Sequence, residues 1–278
     1  MAARRSPSST RAEREEVRIT HPERVVFHSP VITKLEVVRY YQSVAHAMLA
    51  HLRDRPLAIV RCLGGIRDEC FFQKKISVRL PTGARPVAVR TNAGLDTYAA
   101  VEKVEAIAAL AQYGTIEFHT WGSVAPRIEF ADRVTFDLDP DPGVSWERVI
   151  EAAQLTSALI SELGLTGFVK TTGGKGLHVV APIKPTRDWE TVKAFTREIA
   201  TRLEAIAPER YTAKMSKASR SGRIFIDYLR NARGATAISA YSLRARPGAP
   251  VSVPVRLDEL NTAVDVRAGH FNLRNADG

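Results

Sequence analysis

The chain has 278 residues, 45% apolar and 25% charged, which suits one large or two small soluble globular domains. Its 40 Lys and Arg against 30 Asp and Glu leave a net charge of +10, which favours a polyanionic partner, nucleic acid before membrane. No run of 18 apolar residues exists and residues 1–16, rich in Arg and Ser, lack the apolar core of a secretory signal, so neither a membrane span nor export is expected.

Residues 1–16 read as a disordered basic tail and residues 271–278 as a C-terminal tail, flanking one domain over 17–270. Residues 17–20 look like a short strand, followed by a turn at His21-Pro22-Glu23-Arg24 and a strand at Val25-Val26-Phe27. Thr33 with Glu36 three residues on forms a capping box that opens a helix to about Arg53. Its apolar face is Leu35, Val38, Tyr41, Ala45, Met48, Leu49 and Leu52. Strand-like runs follow at 57–62, around Phe71-Phe72 and at 87–90, then a helix over 99–113 closed by Gly114, and a strand at 116–119. Cys62 and Cys70 cannot complete a zinc site and are expected as reduced thiols of a cytosolic protein. Ser145 caps a helix to Leu163, and Asp188 caps another to about Ala207. Between and beyond them, strands are expected at 134–139, 168–171, 177–183, 223–228, 237–241 and 251–255, with a mobile basic loop over 214–223. Some strand pairs lack an intervening helix, so the class is α/β (α+β) with mixed sheets.

Three stretches carry chemistry. Val134-Thr135-Phe136-Asp137-Leu138-Asp139-Pro140 is a strand whose two carboxylates share a face roughly 6–7 Å apart, with Leu138 in the core. Paired carboxylates repel unless a cation lies between them, and a pair of metals is common in phosphoryl displacement. The plainer alternative is a strand entering an Asp-Pro turn. Second, Lys170-Thr171-Thr172-Gly173-Gly174-Lys175-Gly176-Leu177-His178 offers amide donors, a hydroxyl and a cation, the ingredients of a triphosphate cradle. It has neither P-loop nor dinucleotide-fold spacing, and the Gly-Gly-Lys-Gly run taken alone reads first as a hairpin turn with a solvated lysine. Third, Arg223-Ile224-Phe225-Ile226-Asp227-Tyr228 ends a strand in one more carboxylate, with Arg230, Asn231 and Arg233 behind it. Arg244 and Arg246 lie on one strand face, suited to phosphate oxygens. Phe71-Phe72-Gln73-Lys74-Lys75 interleaves aromatics with cations, one phenylalanine in the core and the other free to stack on bases.

In their order and spacing these motifs, with Arg55-Pro56-Leu57 and the run from Tyr241 to Pro250, resemble the polymerase domain of bacterial DNA ligase D, of the primase-polymerase superfamily. The match covers roughly 17 to 260. The resemblance implies a primase-polymerase core of mixed β-sheets with flanking helices around a central cleft. It implies that Asp137, Asp139 and Asp227 bind two metal ions, Mn2+ in preference to Mg2+. Thr172, Gly173, Gly174, Lys175 and Arg244 would hold the triphosphate, with His178 close by and His119 near the nucleotide sugar. The family usually has serine where Thr172 stands, and a hydroxyl survives. His21, Arg24 and Lys34 match positions that recognise a 5′-phosphate, where asparagine, lysine and lysine are usual. Arg61, Phe71, Phe72 and Lys74 complete the surface expected to face DNA, Phe72 matching a template-stacking aromatic and Arg220 an arginine that holds a synapsed end.

The implied activity is template-directed extension of DNA 3′-ends with ribo- or deoxynucleotides, for gap filling and end processing in non-homologous end joining. Implied partners are 5′-phosphorylated DNA ends, gaps or overhangs, nucleoside triphosphates, a Ku-type end-binding protein and an ATP-dependent ligase module. The chain is expected to be a monomer able to pair on DNA ends, in the cytoplasm at the bacterial nucleoid. Two rivals remain from the residues alone. The same carboxylates would serve a metal nuclease or phosphatase, and the basic surface would serve an inactive end-bridging module.

Overall fold

The computed structural model describes residues 17–75, 79–91, 94–262 and 270–276, so the basic segment 1–16 lies outside the described residues. β1 (Val25–His28) and β2 (Val31–Thr33) pair as a hairpin that feeds α1 (Lys34–Leu52). The expected capping box is present: the Thr33 hydroxyl accepts from the Glu36 amide, and Glu36 accepts from the Thr33 amide at 2.7 Å. Val38, Tyr41, Ala45, Met48, Leu49 and Leu52 are buried along its inner stripe. Then come β3 (Leu57–Cys62), β4 (Cys70–Gln73), β5 (Ala84–Thr91), β6 (Gly94–Val101), α2 (Val104–Gln112) and β7 (Thr115–Thr120). The second half runs β8 (Arg133–Pro140), α3 (Trp146–Glu162), β9 (Phe168–Thr171), β10 (Leu177–Pro182), α4 (Trp189–Ile206) and β11 (Tyr211–Thr212). It ends with β12 (Ile224–Asp227), β13 (Ala237–Ile238), β14 (Pro254–Val255) and α5 (Leu257–Thr262).

These strands build two larger sheets. One has the order β13-β7-β3-β6-β5 with β4 added on β3, and α1 and α2 pack in its core with Phe27, Leu57, Ile59 and Phe118. The other has the order β11-β12-β8-β10-β9-β14, and α3 and α4 cover its apolar face around Val134, Phe136, Leu138 and Val179. Among its described strands only β11 and β12 run parallel. Period-two alternation decides what the second sheet shows: Val134, Phe136 and Leu138 turn inward and leave Asp137 and Asp139 on the other face. Arg55, just before β3, holds Asp132, just before β8, through two bonds of 2.7 and 2.8 Å. That fork joins the approach to one sheet to the approach to the other.

Several expectations need correction. Residues 17–20 form no strand. Residues 99–101 belong to β6, and the helix begins only at Val104. The alanines there suit a helix by propensity, but pairing with β5 over eight residues decides otherwise. The strands expected over 237–241 and 251–255 shrink to two residues each, and the basic loop holds a 3-10 turn, Lys217–Arg220. Cys62 and Cys70 are not free thiols: cross-strand pairing of β3 and β4 sets them opposite each other, and they form a disulfide. Neither phenylalanine of β4 is in the core, with Phe71 at 42% and Phe72 at 51% exposure. The reason is position, since β4 hangs on β3 alone, outside the main path of its sheet.

Candidate active site

Strand β8 sets the geometry. In its pairing with β12, Asp227 stands opposite Asp137, and on the other side His178 of β10 also stands opposite Asp137. Three carboxylates and an imidazole thus meet on one sheet face without any long loop. Each carboxylate is held by cations. Arg230, three residues past Asp227, lies 3.1 Å from Asp137 and 3.2 Å from Asp227. Lys175 and Arg220 lie 3.1 and 3.3 Å from the two oxygens of Asp139, and the Arg220 guanidinium sits 3.9 Å above the Phe225 ring. As the side chains stand, no three His, Cys, Asp or Glu residues among the described ones converge closely enough to cage an ion.

The electrostatics follow from burial and from these neighbours. Burial pushes the Asp137 carboxyl upward, but His178, Arg230 and Lys170 outweigh it and hold it well below the ordinary carboxylate range. Asp227 goes the other way, raised by burial and by the negative charge of Asp137, against the pull of Arg230. Burial pushes the His178 imidazole down to about 4, helped by Lys170, so the ring is neutral at pH 7. Its Nε2 lies 3.4 Å from Asp137, and its Nδ1 finds no partner among the described residues. Burial also lowers Lys170 to about 7, while its ammonium donates to Ser252 at 2.9 Å.

The glycine-rich loop joins β9 to β10 as a hairpin, as the plainer reading expects, and it also lines a cavity. Thr172 turns back on the loop, accepting from the Gly174 amide at 3.2 Å and donating to the Gly176 carbonyl at 3.0 Å. Gly176 is required by close approach, because a β-carbon there would run into the Leu138 carbonyl of β8. Lys175 reaches over to donate to the Pro140 carbonyl. The cavity, about 330 Å³, is lined by His119, Asp137, Asp139, Thr172, Gly174, Lys175, His178, Arg230, Arg244 and Arg246. Four of these carry positive charge beside two carboxylates, which suits a polyphosphate next to a metal site. Gly173 does not line it but takes a left-handed turn, φ 63°, against Arg244. Arg244 and Arg246 reach the cavity although their segment is no strand, only a bridge from Leu243 to Val251.

Two residues of this neighbourhood were missed in the sequence. Lys170, which reads in the sequence only as the start of the glycine stretch with no role of its own, is buried on β9 opposite His178. Glu117 shares a face of β7 with His119 and accepts from its Nε2 at 2.8 Å and from the Ala245 amide at 2.8 Å. It also lies 3.2 Å from Arg244 Nε. Alternation with His119 was the available signal for Glu117.

A second cavity, about 360 Å³, brings Arg24, Lys34 and Arg61 together with Thr20, Gln112 and Tyr113. Lys34 donates to the Thr20 carbonyl at 2.9 Å, Arg24 to the Leu63 carbonyl at 2.7 Å and Arg61 to the Tyr113 carbonyl at 2.8 Å. Burial and the nearby Arg24 lower the Lys34 ammonium. His21 does not line this cavity; it forms the preceding turn at φ 51°. Phe71, Phe72 and Lys74 are exposed on and just after β4, and the Phe72 ring meets His119 edge-on at 5.5 Å. Arg220, expected to help hold a synapsed end, lies 3.3 Å from Asp139.

The model of the LigD primase-polymerase domain family matches residues 33–277. The chain is 40% identical over 274 residues, 99% of its length, to the multifunctional non-homologous end joining protein LigD of Pseudomonas aeruginosa, and 33% identical over 88% of its length to that of Mycolicibacterium smegmatis. It covers 32% of each of those proteins, about a third of the curated relatives it matches. The polymerase domain of Mycobacterium tuberculosis ligase D, solved in complex with DNA, superposes with a TM-score of 0.88 at 27% identity, over 95% of this chain and 94% of that one. The expected mixed α/β core is thus the fold observed, and by sequence along nearly all its length the chain belongs to the LigD primase-polymerase domain family.

Proposed function

We propose that residues 17–270 form one catalytic unit that extends DNA 3′-ends against a template with ribo- or deoxynucleoside triphosphates, filling gaps and processing ends in bacterial non-homologous end joining. The observation that carries this reading is the meeting of Asp137, Asp139 and Asp227 on one sheet face with a cationic cavity of about 330 Å³. The family is metal-dependent. Three hard carboxylate oxygens fit Mn2+, the preferred ion, or Mg2+, and the raised Asp227 fits a place where added positive charge relieves repulsion. Two ions bound there would supply neutralisation of charge on the attacking and leaving oxygens.

The chain's own residues do the rest. Arg230 bridges Asp137 and Asp227, and Lys175 and Arg220 flank the two oxygens of Asp139, so these cations hold the carboxylates in place on the sheet face. Lys175, Arg244 and Arg246, with the Thr172 hydroxyl and the Gly174 backbone, hold the triphosphate and take the charge of departing pyrophosphate. His178, neutral and buried, fixes Asp137 from the neighbouring strand. Arg24, Lys34 and Arg61 receive the 5′-phosphate across a gap, while Phe71, Phe72 and Lys74 meet the template. A Ku-type protein and an ATP-dependent ligase module are the proposed partners, a monomer that pairs on DNA ends the proposed state, and the bacterial nucleoid the proposed place. No helix among the described residues is long and apolar enough to cross a membrane. A hydrolase has less use for the cationic cavity, and an inactive bridging module less use for three aspartates.

The test is extension of a gapped duplex with a downstream 5′-phosphate, each nucleotide supplied in turn with Mn2+ and then Mg2+. Addition of the complementary nucleotide is expected, and Asp137→Ala is expected to abolish it while DNA binding persists. Polymerisation by Asp137→Ala would overturn the assignment of the site.

A further inference from the structure

Glu117 is 6% exposed and stands in the middle of β7, where an unpaired carboxylate would be costly. Both of its oxygens are engaged. One oxygen accepts from the Ala245 amide at 2.8 Å and lies 3.2 Å from Arg244 Nε; the other accepts from His119 Nε2 at 2.8 Å. Both side chains it holds line the cavity assigned to the nucleotide, whereas Glu117 itself does not. We infer that Glu117 is a positioning residue for the nucleotide: it fixes the ring tautomer that lets His119 accept from a sugar hydroxyl, and it aims Arg244 at the triphosphate.

The chemistry is as follows. Burial pushes Glu117 upward, but His119, Arg244 and the Ala245 amide outweigh it and bring it down to about 2. It is therefore a carboxylate, an acceptor only, at any working pH. Burial also lowers His119, which leaves the ring neutral with one N–H. Facing a pure acceptor, that proton must sit on Nε2, so Nδ1 carries a lone pair, and no described residue bonds it. The edge-on Phe72 ring packs against the same imidazole and restrains it. A sugar hydroxyl is a donor that such a lone pair can take whatever base the nucleotide carries. On the other oxygen, the Arg244 guanidinium is an ion-pair neighbour, its Nε 3.2 Å away without a hydrogen bond, and its Nη1 donates to the Thr172 carbonyl at 2.8 Å, so it is held between Glu117 and the glycine loop.

This inference rests on the proposed nucleotide site, and the experiment separates the two. Glu117→Gln keeps the shape but must offer an amide N–H either to His119 or to the Ala245 and Arg244 donors. Single-nucleotide addition to a gapped duplex is measured with ribo-, deoxy- and dideoxynucleoside triphosphates, for wild type, Glu117→Gln, His119→Ala and the double variant. Expected for Glu117→Gln is a rise in KM of about tenfold or more with kcat changed far less, as for a lost hydrogen bond in the bound state. The rise should shrink as sugar hydroxyls are removed, and in the His119→Ala background it should no longer depend on them. A penalty equal for all three sugars, or a fall in kcat at constant KM, overturns the inference. Independently of any variant, 15N NMR of wild-type His119 should show the proton on Nε2; a proton on Nδ1 overturns it too. If wild type extends no substrate, the proposed function fails, while the NMR result still decides the tautomer.

Discussion

At the scale of single residues, the site depends on close approach and on charge held out of water. Gly176 lies where a β-carbon would enter the Leu138 carbonyl, backbone against backbone, so the hairpin and β8 must separate to admit a methyl group. Gly176→Ala is expected to cost about 1–3 kcal/mol, as overpacking does, and to weaken triphosphate binding. Urea midpoints and a nucleotide titration check both effects; unchanged values would mean that the strands separate at no cost. Glu117 makes stability depend on pH in a definite direction. Its folded-state value of about 2 is below the ordinary 4.5, so its contribution is present above about pH 4.5 and is lost as pH falls toward 2. Integrated over that window it is on the order of 3 kcal/mol. Glu117→Gln should therefore be less stable than wild type at pH 7, with the gap narrowing steadily below pH 4.5. A gap independent of pH would show that packing, not ionisation, is what the variant loses.

At the scale of elements, the joint between β8 and β12 carries the carboxylates, and a side chain extends it. Beyond the Asp137 and Asp227 pair, the chain leaves the sheet, and Asn231 takes the place of a strand. Its oxygen accepts from the Thr135 amide at 2.8 Å, and its amide donates to the Thr135 carbonyl at 2.8 Å and to the Tyr228 carbonyl at 2.9 Å. Asn231→Ala would leave buried backbone groups of Thr135 unpaired and should cost about 1–3 kcal/mol, with faster amide exchange at Thr135. Protection unchanged at Thr135 would mean that water or a shifted strand replaces the bond. The two aspartate strands and the glycine hairpin were legible from sequence because each is local: period two, β-branched residues and a glycine turn determine them within a few positions. The capping box at Thr33 was legible for the same reason. β6 was not, since its alanines favour a helix and it is pairing with β5, from Ala84 to Thr91, and with β3 at Ala99 that makes it a strand. Nor were Cys62 with Cys70, or the exposure of both Phe71 and Phe72, because both depend on where β4 attaches. The role of Arg230 fell between the two: its nearness to Asp227 was visible, but its reach to Asp137 needs the register of β12 on β8.

At the scale of the whole molecule, a net charge of +10 attracts DNA but cannot by itself place an end. Placement needs two anchors at a fixed separation, and β3 supplies the connection. It pairs with β7, which carries His119 at the cavity proposed for the nucleotide, and with β4, which carries Phe72 against that histidine. Its own Arg61 lines the cavity of Arg24 and Lys34. On the proposed function, a phosphate bound there would be tied through one strand to the position where the next nucleotide is added. The Lys34 ammonium, lowered by burial and by Arg24, gains most from an arriving dianion, which offsets both penalties. Lys34→Gln is expected to lower affinity for a gapped duplex with a 5′-phosphate by about tenfold or more, and the salt slope by about one. Affinity for the same duplex with a 5′-hydroxyl should barely change. Because the separation is fixed by a strand, stimulation of extension by the 5′-phosphate should be confined to short gaps and fade as the gap lengthens. Stimulation that persists across long gaps would mean that the phosphate only raises affinity, and that β3 does not measure the distance between the two sites.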